Sequence, residues 1–242
     1  MKKILITSGG TIEHIDDVRV LTNISTGKLG SLIADEFLMA NKNGQKHPPI
    51  YRPQLINYEV HYVCTKATKI PFTMTAWWNA GFVCHYVTDV QSLYNKMEEL
   101  IPQMDVVIHA MAVSDFAFKP LSTKLKSNDP DAFIESMHER IYKTPKIISK
   151  IKEWNPNCIL IGFKFEVGVN KYTMAELATN QILSCKSDAV LTNDKKEMQE
   201  KNSHVAKLYF LDNHKLSWID YEDKNDIAKG IFNFIENKLE IS

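Results

Sequence analysis

Short apolar runs bounded by glycine, aspartate and proline alternate along the chain with longer stretches in which apolar residues recur every three to four positions. Residues 4–7 are apolar and run into Ser8, Gly9, Gly10 and Thr11, which predicts a buried strand ending in a tight turn. Leu29, Leu32, Ile33, Phe37 and Leu38 lie at helical spacing, so a helix is predicted over residues 29–40, behind the cap-type residues Ser25, Thr26 and Gly27. Residues 9–27 read as one long loop. Further strands are predicted over residues 58–65, 82–87, 105–113, 158–163 and 188–192, and further helices over 89–100, 145–154 and 171–184. Residues 41–53 read as an exposed connection and 116–130 as a mobile loop. Asp212 to Lys215 separate two strand-like runs and signal a hairpin, and residues 227–239 form a closing amphipathic helix.

This order predicts an α/β, Rossmann-like fold: a mostly parallel sheet flanked by helices, with a C-terminal β-hairpin and closing helix. No internal repeat or linker divides the sequence, so residues 1–242 are expected to form a single domain.

Lys+Arg and Asp+Glu both number 29, so the chain has no global pull toward nucleic acid or an anionic membrane, and any phosphate site must be local. A hydrophobic fraction of 44% with 24% charged residues excludes disorder as the main description. The apolar runs are too short to span a bilayer, and Met1-Lys2-Lys3 leads straight into a strand without a secretory core, which predicts a soluble cytoplasmic protein. Cys64, Cys84, Cys158 and Cys185 lack CxxC spacing and are expected to be buried reduced thiols.

In open α/β sheets ligands bind beyond the carboxyl ends of the strands, which directs attention to four junctions: Ser8 to Thr11, His109 to Asp115, Gly162 to Glu166, and Thr192 to Asp194. Gly9 and Gly10 with Ser25 and Gly27 could cradle a phosphate through backbone N–H groups and a helix N-terminus, or could simply form a turn and a cap. Neither GxGxxG nor a P-loop is present. Arg19 could pair with a carboxylate or phosphate, and Asn23 could donate and accept. Lys124 and Lys126 could close over a ligand and neutralise phosphoryl charge. His14, Asp16 and Asp17 lack a second histidine at ligand spacing, so no protein metal site is expected.

The run Thr7 to Arg19 (TSGGTIEHIDDVR), followed by Leu21 to Gly30 (LTNISTGKLG), resembles the opening of the phosphopantothenate–cysteine ligases. The resemblance continues in family order through Ala112-Val-Ser-Asp115, Lys124-Leu-Lys126, Lys143-Thr-Pro-Lys-Ile-Ile148, Ile161-Gly-Phe163 with Glu166, and Thr192-Asn-Asp194, touching about two thirds of the chain. Because no flavin-binding decarboxylase half precedes Met1, the standalone form of the ligase is expected. The resemblance implies joining of 4'-phosphopantothenate to L-cysteine in coenzyme A biosynthesis, with CTP or ATP as co-substrate and Mg2+ carried by the nucleotide. The pantothenate carboxylate would attack the α-phosphate, releasing pyrophosphate, and the cysteine amine would then displace the nucleoside monophosphate.

On this resemblance Lys124 stabilises the α-phosphate and Asn23 holds the acyl intermediate. Gly9, Gly10, Ser25, Gly27 and Gly30 cradle phosphate. His109, Ala110, Met111 and Asp115, with Thr144, Pro145, Lys146, Ile147 and Phe163, form the rest of the nucleotide site. Arg19, Asn23 and Ala112 face phosphopantothenate, in a site that a homodimer would complete. Two other classes make different demands. A nicotinamide-dependent reductase predicts a glycine fingerprint and an acidic residue after the second strand, where Thr65-Lys66 stands. A silent binding relative predicts loss of Asn23 or Lys124, and both are present.

Overall fold

The computed structural model describes residues 1–41, 57–72, 81–119, 121 and 130–241. Its centre is strand β1 (Lys2–Ser8), whose Ile4, Leu5 and Ile6 have no exposed surface, as expected of a parallel strand covered on both faces. β1 pairs in parallel with β4 (Tyr58–Cys64) on one side and β6 (Val106–His109) on the other. β5 (Phe82–Tyr86) extends the first side; β9 (Ile159–Glu166) and β10 (Ala189–Asp194) extend the second, all parallel. The hairpin β11 (Ala206–Asp212) and β12 (Lys215–Tyr221) adds two antiparallel strands, giving the order β12-β11-β10-β9-β6-β1-β4-β5. The expected sheet is therefore present, and the strand order reverses between β1 and β6, the position at which ligands bind in open α/β sheets.

Helices cover both faces. α1 (Lys28–Ala40) and α7 (Lys224–Ile241) bury Ile33, Phe37, Ile227 and Ile231 against the even-numbered side chains of β1 and β6. Phe37 meets Tyr58 and Phe232 edge-on at 5.3 and 5.1 Å, locking α1 to α7 and to β4. On the other face α2 (Val90–Leu100) and α4 (Ile148–Trp154) bury Leu93, Met97, Ile148 and Ile151. α5 (Lys171–Cys185) continues that layer over Val190 with Met174, Ala178 and Ile182. Asp89 starts α2 with a reciprocal capping box to Ser92, and the Asn170 side chain caps α5.

Several sequence expectations need correction. The supposed long loop of residues 9–27 holds a hairpin of β2 (Ile12–His14) and β3 (Val20–Thr22). The supposed mobile loop begins with β7 (Phe116–Phe118), which pairs with β8 (Ile141–Lys143) after α3 (Pro130–Arg140). α4 starts at Ile148, leaving Thr144 to Ile147 as a connector, and α6 (Lys195–Glu200) follows directly on β10. Of Ser25, Thr26 and Gly27, it is Gly27 that caps α1, in a left-handed conformation, while Thr26 Oγ1 accepts the Lys28 N–H at 3.4 Å. Cys84 is half-buried, whereas Cys64, Cys158 and Cys185 are buried and all four are free. Most of residues 41–53 lie outside the described residues, as does Lys124. No helix among the described residues is long and apolar enough to cross a membrane.

Candidate active site at the β1–β6 crevice

Two glycine-dependent close approaches build one wall of the crevice. Gly9 (φ +88°) and Gly27 (φ +71°) adopt backbone conformations that L side chains resist. A Cβ on Gly9 would lie 2.0 Å from Thr68 Oγ1, and one on Gly27 2.2 Å from Thr68 Cγ2. Gly30 packs as closely on Ser8, whose Oγ donates to the Gly27 carbonyl at 3.1 Å. Thr68 itself is held by Thr65, with 2.9 Å between the hydroxyls, and the Lys69 N–H donates to Thr26 O at 3.0 Å. The turn after β4 thus fills the space that the glycines leave open. Sequence reasoning missed Thr65 and Thr68, which only the β1–β4 pairing brings to the glycines.

That packing leaves the N-terminus of α1 in a basic setting. Lys224, at the start of α7, is held below the usual lysine range, first by burial and then by the charges of Lys28 and Lys69. The charges of Lys28, the first residue of α1, and of Lys69 in the post-β4 turn thus act on Lys224, and the dipole of the α1 N-terminus adds positive character. Lys69 and Lys224 were likewise not singled out from sequence. Their common signal is positional, because Lys69 lies in the turn after β4 and Lys224 opens α7.

The opposite wall is a hydrogen-bonded joint between β1 and β6. Thr7 Oγ1 lies 2.9 Å from His109 Nδ1 and accepts the Met111 N–H at 3.1 Å. The backbones of Gly10 and Ala112 form a parallel bridge; the Ala112 N–H donates to Gly9 O at 2.8 Å, and the Thr11 N–H to Ala112 O at 3.2 Å. Ser114 N–H donates to Thr11 Oγ1 at 3.0 Å, and Thr144 Oγ1 donates to Ser114 O at 2.6 Å. Burial pushes the His109 pKa down to about 4, so its ring is neutral at pH 7.

The structure brings together Gly9, Gly10, Ala112, Met111, His109 and Thr144 through these contacts, with Asp115 accepting the Thr144 N–H through its carbonyl at 3.0 Å. Asn23 is exposed, and its carbonyl lies 2.9 Å from where a Cβ on Gly10 would stand, so it borders the same turn. Ser25 is half-buried, Ala110 is half-buried, and Pro145 and Lys146 are exposed on the connector before α4. Ile147 packs with Met111 on the α2/α4 face, whereas Phe163 packs on the α1/α7 face, so these two flank the sheet end from opposite sides. Arg19 sits farther out, on the β2–β3 hairpin. Its guanidinium pairs with the buried Asp16 at 2.9 Å and lies 5.0 Å from the centre of the Phe133 ring in α3. Arg140 of α3 is a structural residue that sequence reasoning missed: it donates to Ile15 O at 2.8 Å and Lys119 O at 2.9 Å, tying that hairpin to β7.

The model for the DNA/pantothenate metabolism flavoprotein C-terminal domain matches residues 1–45 and 65–239. The chain belongs to this family. Within it, the chain is 30% identical over 211 residues to the coenzyme A biosynthesis bifunctional protein CoaBC of Thermococcus kodakarensis, covering 85% of this chain and 44% of that protein. It is 28% identical over 236 residues to the CoaBC of Borreliella burgdorferi, covering 97% of this chain and 52% of that one. The chain thus spans about half the length of the curated relatives it matches. Among solved structures, the DNA/pantothenate metabolism flavoprotein of Streptococcus pneumoniae superposes with a TM-score of 0.74 at 29% identity, over 98% of this chain and all of that one. A Cab2 H337A variant in complex with phosphopantothenate-cysteine shares the fold, with a TM-score of 0.69 at 16% identity over 98% of this chain and 86% of that one.

Proposed function

We propose that this chain is a phosphopantothenate–cysteine ligase, joining 4'-phosphopantothenate to L-cysteine with cleavage of a nucleoside triphosphate to the monophosphate and pyrophosphate. The observation that carries the reading is the basic helix N-terminus at the sheet's switch point, formed by Gly27, Lys28, Lys69 and Lys224, inside a chain of this family. CTP is the proposed nucleotide and ATP the alternative.

Condensing a carboxylate with an amine in water needs an activated acyl group, and nucleotidyl transfer supplies one by trading a phosphoanhydride for an acyl phosphate. The protein's part is positioning and charge neutralisation. In this reading the lysine-flanked helix terminus holds phosphate oxygens, Lys124 meets the α-phosphate during attack, and Asn23 holds the acyl intermediate while the amine enters. The neutral His109 ring and the connector from Thr144 to Ile147 face the nucleoside. Arg19, held in place by Asp16, meets phosphopantothenate in a homodimer. Mg2+ would enter with the nucleotide, keeping phosphate and water oxygens as ligands.

The test is product formation. The purified chain with 4'-phosphopantothenate, L-cysteine, Mg2+ and CTP or ATP is expected to yield phosphopantothenoylcysteine, read by mass spectrometry. Folded protein that forms none with either nucleotide contradicts the reading.

A further inference from the structure

Cys64 closes β4 and Cys84 lies on the edge strand β5, and their Sγ atoms are 3.8 Å apart. Cys64 is fully buried and Cys84 half-buried, so only the second is open to a reagent from solvent. The contact sets the two thiols apart: beside Cys64, Cys84 is held below the usual thiol range, and Cys64 is pushed up by Cys84 and by burial. An accessible thiolate beside a buried second thiol is the arrangement of an attacking and a resolving cysteine. Cys158 offers the contrast, being buried, with its thiol pushed up to about 11 by that burial.

We propose that Cys64 and Cys84 form a dithiol–disulfide site oxidised by small-molecule disulfides. The Cys84 thiolate attacks one sulfur of the reagent; its S–S bond breaks, and one thiolate leaves and takes a proton from solvent. Cys64 then gives its proton to solvent and attacks Cys84 Sγ, expelling the second thiolate. Two protein thiols are oxidised and one disulfide is reduced to two thiols.

The pair lies diagonally across the β4–β5 ladder, with Cys64 opposite Tyr86 and Cys84 opposite Tyr62, so closing the bond draws the two Sγ atoms together from 3.8 Å by local adjustment of the two strands. As the outermost strand of the sheet, β5 is hydrogen-bonded within it to β4 alone, so its other edge does not oppose that adjustment. Cys64 directly precedes Thr65, whose hydroxyl contacts the Thr68 that packs on Gly9 and Gly27.

The experiment uses the full chain and cystine. At neutral pH, before any oxidant, Cys84 is expected to alkylate more than about tenfold faster than Cys158 or Cys185. Cystine is then expected to remove two hydrogens from the intact mass and to yield a peptide joining Cys64 to Cys84, both reversed by dithiothreitol. Cys64→Ser should stop at one cysteinyl group on Cys84, and Cys84→Ser should leave Cys64 unmodified. Equal alkylation rates, a lasting cysteinyl adduct on Cys84 of the unaltered protein, or a disulfide between chains overturns the proposal. The unaltered protein decides these points even if a variant fails to fold.

Discussion

The Thr7 hydroxyl lies 2.9 Å from Nδ1 of the buried His109, fastening β1 to β6 where the strand order reverses. Because burial lowers the folded-state pKa to about 4, the unfolded chain binds more protons than the folded one between that value and about 6.5. Stability is therefore expected to fall as pH drops through this window, by up to about 3 kcal/mol from His109. His204, also lowered to about 4 by burial, acts in the same direction. Urea unfolding at pH 7 and pH 4.5 measures the loss, and His109→Gln should reduce it; an undiminished slope assigns it elsewhere.

Gly9→Ala places a methyl against Thr68 at positive φ, and Gly27→Ala does the same from the other side. Each should cost at least about 1–3 kcal/mol in chemical denaturation. Thr68→Ala should recover part of the Gly9→Ala loss by removing the clash, leaving the backbone strain. A double variant no more stable than Gly9→Ala alone contradicts this account of the wall.

Arg140 is nearly buried and serves two carbonyls from distant segments. Arg140→Ala leaves them unpaired and should destabilise the protein by roughly 2–4 kcal/mol, with faster hydrogen exchange in β2, β3 and β7. Arg140→Lys should recover little, since one ammonium lacks the guanidinium's spread of donors.

The lysine cluster yields a ligand test. Tripolyphosphate should raise the melting temperature, and Lys69→Ala or Lys224→Ala should weaken its binding about threefold to tenfold each, with the effect shrinking in salt. Relief of repulsion should leave the ligand-free variants at least as stable as the parent. Unchanged tripolyphosphate affinity in both variants places the phosphates elsewhere.

Much of the fold is legible because central strands here are continuous apolar runs: Ile4 to Ile6 and Val106 to Ile108 could only be buried on both faces. The β2–β3 hairpin and the β7–β8 pair escaped because three-residue strands carry too little periodicity, and exposed residues fill β3 and β8. α3 escaped because its apolar residues make no buried stripe; only Arg140 in it is buried. At the site, the glycines and the stretch from His109 to Asp115 could be read as strand-end junctions. Thr68, Lys69 and Lys224 could not, since their meaning comes from pairing partners more than thirty residues away in sequence.

Pyrophosphate release is the most direct test of ligation driven by nucleotide cleavage. Purified protein with 4'-phosphopantothenate, Mg2+ and either CTP or ATP is assayed with and without L-cysteine. The expected result is sustained release that depends on cysteine and is faster with CTP. Lys124→Gln should lower it by at least about tenfold, in the range of a lost charge-stabilising contact. Faster turnover with ATP would keep the reaction and reverse the base assignment. No cysteine-dependent release with either nucleotide, from protein shown to be folded, would contradict the account.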